Sequence, residues 1–324
     1  MRKILVTGAA GYIGSVLVKQ LLNKGYRVRG FDSLLFGGES LIGYFSNPLF
    51  EFIKGDIRDR GSLNQALEGI TDVVHLAAIV GDPACSAQPK FAEETNWTAS
   101  KVLFDHINEN TQVDKFVFAS TCSNYGKMEG DGYLNEDSEL KPVSLYAELK
   151  VKFEEYLLKS NIRKSFNPTA LRFSTVYGLS TRMRFDLTVN EFIREVAFGK
   201  GLVIFGEQFW RPYCHVEDLA SSCITILESD PVKTRQNVYN VGDTNENYTK
   251  LMISDEIKKI KPDCNISFVK KSEDPRDYRV DFSKIKNDLG FSISKRLADG
   301  LKEIYNVLES GIISDPYSSH YKNI

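Results

Sequence analysis

The chain is predicted to fold as an α/β protein: a doubly wound parallel sheet followed by a smaller mixed α/β region. Three observations predict it. Short apolar runs alternate with helical periodicity through the first half of the 324 residues, the beat of a parallel sheet whose right-handed crossovers put helices on both faces. A glycine-rich turn follows the first run directly and leads straight into a helical pattern. After Gly178 the alternation gives way to shorter strands and helices.

Residues 4–7 form the first strand; because this apolar run stops at Thr7 and Gly8, the start of the chain does not read as a signal peptide. Residues 15–24 carry helical periodicity, and residues 28–31 form a second strand closing at Asp32. A third strand spans residues 50–54, a helix 62–67 and a fourth strand 73–77. The pattern continues with a helix at 94–108, a strand at 116–120, a helix at 145–159 and a sixth strand at 169–173. Beyond Gly178, a mixture of short strands and helices is expected, with segments at 187–198, 202–205, 219–227 and 248–260. The Val-Tyr-Asn-Val core of residues 236–242 is read as a strand returning to the main sheet. These elements divide the chain into residues 1–178 with a return segment 236–247, and a discontinuous smaller domain within 179–324. The polar last ten residues are expected to be loosely ordered.

Composition removes several function classes. Forty-one basic and 43 acidic residues leave a formal charge of −2 with no long run of either sign, so nucleic-acid binding is not expected. No stretch reaches the eighteen or so apolar residues of a membrane span, and no lipidation motif stands at either end, so the cytoplasm is the default expectation. Five cysteines, widely spaced and without a Cys-x-x-Cys pair, argue against a disulfide framework or zinc site. The four histidines are scattered, and no metal is expected.

The turn Gly8-Ala9-Ala10-Gly11-Tyr12-Ile13-Gly14 sits between a strand and a helix. In that context glycines permit a tight turn, bring the backbone close to a pyrophosphate and let helix pack on strand, with the helix N-terminus facing the anion. Gly8, Gly11, Tyr12, Ile13 and Gly14 are therefore candidate cofactor residues of a Rossmann domain. Asp32, about twenty residues further on, is placed to accept hydrogen bonds from adenosine ribose hydroxyls, which favours NAD. Arg29 lies within the strand and is a poor candidate for a ribose phosphate. Asp56 and Ile57, closing the third strand, are candidate adenine contacts, against the plain alternative of a loop aspartate.

Tyr146 and Lys150 are spaced i, i+4 on the helix at 145–159 and share one face. A cation there favours the phenolate and makes tyrosine a usable acid/base near neutral pH. By spacing alone, the pair reads as a solvated helix face; its context, downstream of the glycine-rich turn, overturns that reading.

With Gly8, Gly11, Gly14, Asp32, Asp56, His75-Leu76-Ala77-Ala78, Tyr146 and Lys150 in this order, the sequence resembles the extended short-chain dehydrogenase/reductases that act on nucleotide sugars. The likeness runs on through Leu171-Arg172-Phe173-Ser174-Thr175-Val176-Tyr177-Gly178, then Arg211-Pro212-Tyr213-Cys214-His215-Val216-Glu217-Asp218, and Tyr239-Asn240-Val241-Gly242. The resemblance implies catalysis by Thr121, Tyr146 and Lys150, with Ala77 beside the cofactor. In the implied chemistry Lys150 bridges the nicotinamide ribose hydroxyls and, with the positive nicotinamide ring, depresses the pKa of Tyr146, whose phenolate takes the proton of a sugar hydroxyl at C4 while hydride passes to NAD; Tyr146 and Lys150 are thus cofactor contacts as well. Return of hydride to the other face of the ketosugar is epimerisation; release of the ketosugar is dehydrogenation.

The same resemblance marks departures. Related 4,6-dehydratases carry an Asp-Glu pair where this sequence has Cys122 and Ser123, which disfavours dehydration. Cys122 is either an acid/base for a further epimerisation or a small buried thiol. Tyr125 is either a packing aromatic or a stacking surface. Thr175 stands where the 4-epimerase pattern has asparagine. Candidate substrate contacts are Asp82, Thr121, Ser123, Thr175, Arg184, Asn190, Arg211 and Arg276, with Arg182 secondary and Lys271 competing with Arg276 for the diphosphate. Asp82, before a proline, is equally a turn residue. His215 is read as structural, as is His75.

The reading is an NAD-dependent nucleotide-sugar epimerase, with a net 4-dehydrogenase or 4-ketoreductase as the alternative and a catalytically silent NAD-binding regulator as a third. A homodimer is implied through the helices at 94–108 and 145–159.

Overall fold

The computed structural model describes residues 2–271 and 276–323. In chain order its first half comprises β1 (Lys3–Thr7), α1 (Tyr12–Asn23), β2 (Arg27–Asp32), β3 (Phe50–Lys54), α2 (Arg60–Leu67), β4 (Asp72–His75), α3 (Asp82–Ala87), α4 (Pro89–Glu93), α5 (Ser100–Asn110), β5 (Lys115–Thr121), α6 (Leu145–Lys159) and β6 (Asn167–Phe173). The remainder comprises β7 (Thr175–Tyr177), α7 (Thr188–Ala197), β8 (Leu202–Phe205), β9 (Trp210–His215), α8 (Val216–Glu228), α9 (Pro231–Thr234), β10 (Asn237–Val241), β11 (Asn247–Thr249), α10 (Lys250–Ile260), β12 (Ile266–Val269), α11 (Ser283–Leu289) and α12 (Leu297–Glu309).

Seven strands form one parallel sheet in the order β3-β2-β1-β4-β5-β6-β10. Alternation within each strand loads both faces. Ile4, Val6, Val74, Val117 and Leu171 join α1 and α8 in one core, whereas Leu5, Phe31, Val73, Phe116, Phe118 and Ala170 join α2, α5 and α6 in the other. A strand covered on both sides reads as a continuous apolar run, which is why the sequence marks these strands so clearly. The second core is aromatic: the Phe118 and Phe153 rings stand 4.5 Å apart edge to face, and Phe104 meets Phe116 in the same way.

The strand order reverses at β1, which pairs with both β2 and β4. Open α/β sheets leave a crevice at such a point, beyond the carboxyl ends of the strands. β4 ends at His75, two residues before the expected Ala77, because the chain turns into this crevice.

Beyond the sheet lie a three-stranded sheet β11-β9-β7 and the pair β12-β8, with α7, α10 and α12 packed around them. The division of the chain is more interleaved than the sequence suggests. Besides β10, α8 returns to the large sheet and packs on α1, burying Leu219, Ala220 and Cys223 in the same core as Val16 and Leu17. Conversely β7, before residue 178, pairs with β9 in the smaller sheet. The expected helix at 94–108 begins with π-helical geometry over Glu94–Ala99; there the Asn96 amide accepts from Ile79 N and donates to Ile79 O, both at 2.8 Å.

The tail, expected to be loose, is docked. Phe185 N donates to Tyr321 O at 2.9 Å, the two rings meet edge to face, and the Tyr317 hydroxyl donates to Glu195. Aromatic anchors among polar neighbours explain why composition misled. Among the described residues, no helix is long and apolar enough to cross a membrane, and no group of three or more His, Cys, Asp or Glu is disposed to hold a metal.

Candidate active site

One cavity of about 460 Å³ runs along the carboxyl ends of the strands. Its first end is built by the glycine turn. Gly8 has φ 74°, and a Cβ there would lie 2.8 Å from Ala77 N; a Cβ on Gly14 would lie 2.0 Å from Gly8 O. Only glycines allow β1, α1 and the Leu76–Ala77 backbone to approach this closely. Gly11 caps α1 without a side-chain acceptor, and no acidic residue occupies the first turn. The first amides of a twelve-residue helix are thus left for an anion, as a dinucleotide pyrophosphate requires.

Asp32 ends β2 beside this turn, its carboxylate accepting from Ala10 N at 3.0 Å and Leu34 N at 2.8 Å. Burial raises its pKa, and these two amides bring it back toward the ionised form. Arg29 is turned away into an ion pair with Glu51 and bonds to the carbonyls of Gln65, Ala66 and Glu68. Asp56 and Ile57 line the same end; Arg58 pairs with Asp56 and holds its carboxyl below the usual range. The residues present fit NAD.

The residues expected to carry the chemistry line the same cavity. Thr121 ends β5, and its Oγ1 accepts from Ser123 N at 3.1 Å, capping a short 3-10 turn. Ser144 caps α6 by accepting from Ala147 N, which starts the helix at Leu145 and places Tyr146 in its first turn. Lys150 lies one turn further, buried, donating to Ala119 O at 2.8 Å. All three line the cavity.

The electrostatics differ from expectation in one respect. Lys150 Nζ sits 4.7 Å from the Phe118 ring centroid and 5.9 Å from that of Tyr146, committed to Ala119 O. The Tyr146 pKa is accordingly not depressed; desolvation raises it, Cys85 and Asp82 add to this, and Arg184 opposes them. Desolvation also pushes Lys150 down to about 8. An i, i+4 spacing fixes a shared face but not which acceptor the ammonium chooses.

The far end is lined by Asp82, Ser123, Thr175, Arg184, Arg211 and Arg276 of the predicted contacts. Asp82 accepts from Ser144 Oγ at 2.6 Å and from Arg276 Nη1 at 2.8 Å, which joins the α3 loop, the α6 cap and Arg276. Arg184 pairs with Asp186. Asp274 and Pro275, the sequence context of Arg276, lie outside the described residues.

Asn190 corrects the expectation: it does not line the cavity, and its buried amide accepts from Gly178 N and donates to Arg184 O and the Tyr12 hydroxyl. On an amphipathic helix it faces inward as the glue between α7 and the 178–184 loop. Lys271 also lies off the cavity, over the Phe205 ring. Cys122 is buried with its thiol donating to Arg172 O, and burial drives its pKa far up, so it is a packing thiol. Tyr125 packs against Tyr278 and bonds Asn240 and Asn135, away from the cavity. His215 caps α8 and bonds Glu303; His75 is buried between the Thr7 and Ser100 hydroxyls.

Tyr213, Thr188, Lys250 and Asn323 also line the cavity and were missed by sequence reasoning. Tyr213 lies inside the quoted Arg-Pro-Tyr segment, so a signal existed there. Lys250 opens a helix and Asn323 lies in the last segment described, positions whose approach to the cavity only tertiary packing decides.

Comparison with known proteins gives the same assignment. Residues 4–242 match the model of the NAD dependent epimerase/dehydratase family. A UDP-glucose 4-epimerase of Lactobacillus helveticus is 28% identical over 313 residues, 89% of this chain and 91% of that protein. A dTDP-glucose 4,6-dehydratase of Streptomyces griseus is 29% identical over 311 residues, 92% of this chain and 91% of that protein. Among solved structures, a UDP-glucuronic acid 4-epimerase from Bacillus cereus, in complex with UDP-glucuronic acid and NAD, superposes with a TM-score of 0.83 and 30% identity, covering 95% of this chain and 99% of that one. With the glycine cradle, Asp32 and the Thr121, Tyr146 and Lys150 group on one cavity, the chain belongs to the NAD dependent epimerase/dehydratase family and is an NAD-dependent nucleotide-sugar enzyme of the epimerase type.

Proposed function

We propose that the cavity inverts C4 of a UDP-linked hexose or hexuronate, with NAD at the glycine-turn end and the UDP diphosphate at the arginine end. The observation that carries this reading is that Thr121, Tyr146 and Lys150 line the same cavity as the cradle of Gly8, Gly11 and Gly14 and the cations Arg184, Arg211 and Arg276. Guanidinium groups suit a diphosphate because they donate paired, planar N–H bonds. When bound, NAD supplies reversible two-electron oxidation of the sugar carbon.

Each side chain then has a task. Thr121 Oγ1 holds the reacting sugar oxygen, and Tyr146 Oη exchanges its proton. Lys150, rotated from Ala119 O toward the phenol, supports the phenolate; its pKa of about 8 leaves most of it charged at neutral pH. Asp82 and Ser123 lie where sugar hydroxyls need partners, and Arg276, now paired with Asp82, is the cation that a diphosphate would recruit. Burial of Cys122 leaves the site without the acid/base pair that loss of water needs.

The test is turnover of UDP-glucose and UDP-glucuronic acid by the purified protein, followed by the C4 proton signal and by NADH absorbance. Epimer formation without NADH build-up is expected; steady NADH accumulation would replace this reading with net dehydrogenation. Tyr146→Phe should keep NAD and lose about a thousandfold in turnover, and unchanged turnover would remove Tyr146 from the chemistry. We also place the protein in the cytoplasm as a homodimer through α5 and α6, where Trp97, Lys152 and Tyr156 line a surface depression; a monomer in sedimentation would refute the dimer.

A further inference from the structure

Arg182 is 5% exposed and lines the cavity, yet its hydrogen bonds go to neutral groups: Met183 O at 2.9 Å, Lys322 O at 3.0 Å and Asn323 Oδ1 at 3.0 Å. Among the described residues no carboxylate pairs with it. Burial, with the neighbouring Arg184, lowers its pKa against the opposing pull of Asp186, whose carboxylate is already bonded twice by Arg184. A buried guanidinium without a counter-ion is costly, so such a site calls for an anion.

Its position says which anion. The loop carrying Arg182 is fastened to the cofactor half: Ser180 Oγ donates to Tyr12 O at 2.8 Å, and Thr181 Oγ1 donates to Ser40 O at 3.2 Å. The guanidinium itself lies 5.2 Å from the ring centroid of Phe36, in the loop after β2 that lines the Asp32 end. Asn323 completes the arrangement. Its Oδ1 is taken by Arg182, so the amide nitrogen is the group it has left to donate, and the residue lines the cavity. The tail is held in place by Asn323 N on Asp186 Oδ2 and by the Tyr321–Phe185 contact.

We infer that Arg182 and Asn323 form a clasp in which the docked C-terminal tail closes over bound NAD, the guanidinium and the Asn323 amide nitrogen meeting its pyrophosphate. The clasp makes Asn323 part of the cofactor site. It rests on the cofactor assignment and is independent of which sugar is turned over.

The test is titration of NAD into cofactor-stripped protein, with UDP titrated in parallel. Asn323→Ala removes one donor to a charged acceptor and should weaken NAD about tenfold. Asn323→Asp gives Arg182 its counter-ion and repels the pyrophosphate; it should weaken NAD about a hundredfold while the stripped protein unfolds at the wild-type temperature or above. UDP affinity should stay at the wild-type value in both variants. NAD binding equal to wild type in both variants would overturn the clasp, as would loss of UDP affinity with NAD affinity intact. A wild-type protein that binds no NAD would refute the clasp and the cofactor assignment together.

Discussion

Replacing Glu154 by Gln should destabilise the protein and slow catalysis without loosening the NAD cradle. Glu154 lies two turns beyond Tyr146 and one beyond Lys150 on α6, so it shares their face but points into the protein behind the cavity. Its carboxylate accepts from Arg172 Nε at 3.0 Å and Nη2 at 2.6 Å, and from Ser120 Oγ at 2.5 Å. The two side chains are 1% and 4% exposed. Arg172 extends the network to the Tyr125 hydroxyl, which bonds Asn240 of β10. The glutamine amide keeps the volume and can still accept one bond, but it removes the charge that compensates a buried guanidinium. Breaking such a pair costs about 3–5 kcal/mol. At about 2–4 °C per kcal/mol for a chain of this order of size, the thermal midpoint should fall on the order of 10 °C. Urea unfolding followed by circular dichroism measures the loss, and turnover measured well below the transition reports the displacement of Tyr146 and Lys150. A loss below about 1 kcal/mol, the scale of an exposed ion pair, would show that the buried charge pair does not organise this helix.

Gly14→Ala forces a Cβ to within 2.0 Å of Gly8 O, a backbone atom that cannot step aside; at about 1–3 kcal/mol of overpacking, NAD should bind about ten- to a hundredfold more weakly, and calorimetry showing wild-type affinity would refute the close-packing argument. His75 is kept neutral when folded because burial, with help from Lys150, pushes its pKa down to about 3 from the ordinary 6.5. Between these values the unfolded chain binds the extra proton, so stability is full above pH 6.5 and falls as pH drops, by about 1.4 kcal/mol per unit. His75→Phe should remove that slope, and parallel stability–pH curves for wild type and variant would show that His75 is not its source.

Much of the site was legible because its parts are local. The glycine turn declares itself through three residues within seven, and Tyr146 and Lys150 through one helical turn; both depend on backbone geometry that neighbouring residues dictate. The substrate end was less legible. A guanidinium reaches far from its Cα, so whether Arg184, Arg211 or Arg276 meets the cavity depends on where several loops converge. Asn190 shows the limit: its segment was picked out as a regular element, but its side chain was claimed by Gly178, Arg184 and Tyr12, partners distant in sequence.

By itself the sequence determined the parallel sheet, the close-packed glycine turn and the shared helix face of Tyr146 and Lys150, since each follows from period, spacing and the steric permissiveness of glycine. Tertiary structure alone decided that α8 returns to the first sheet, that Lys150 rests on Ala119 O, that Asp82 holds Arg276, and that Asn323 reaches the cavity. Those outcomes turn on competition among long-range partners for the same polar atoms, and no local pattern records which partner wins.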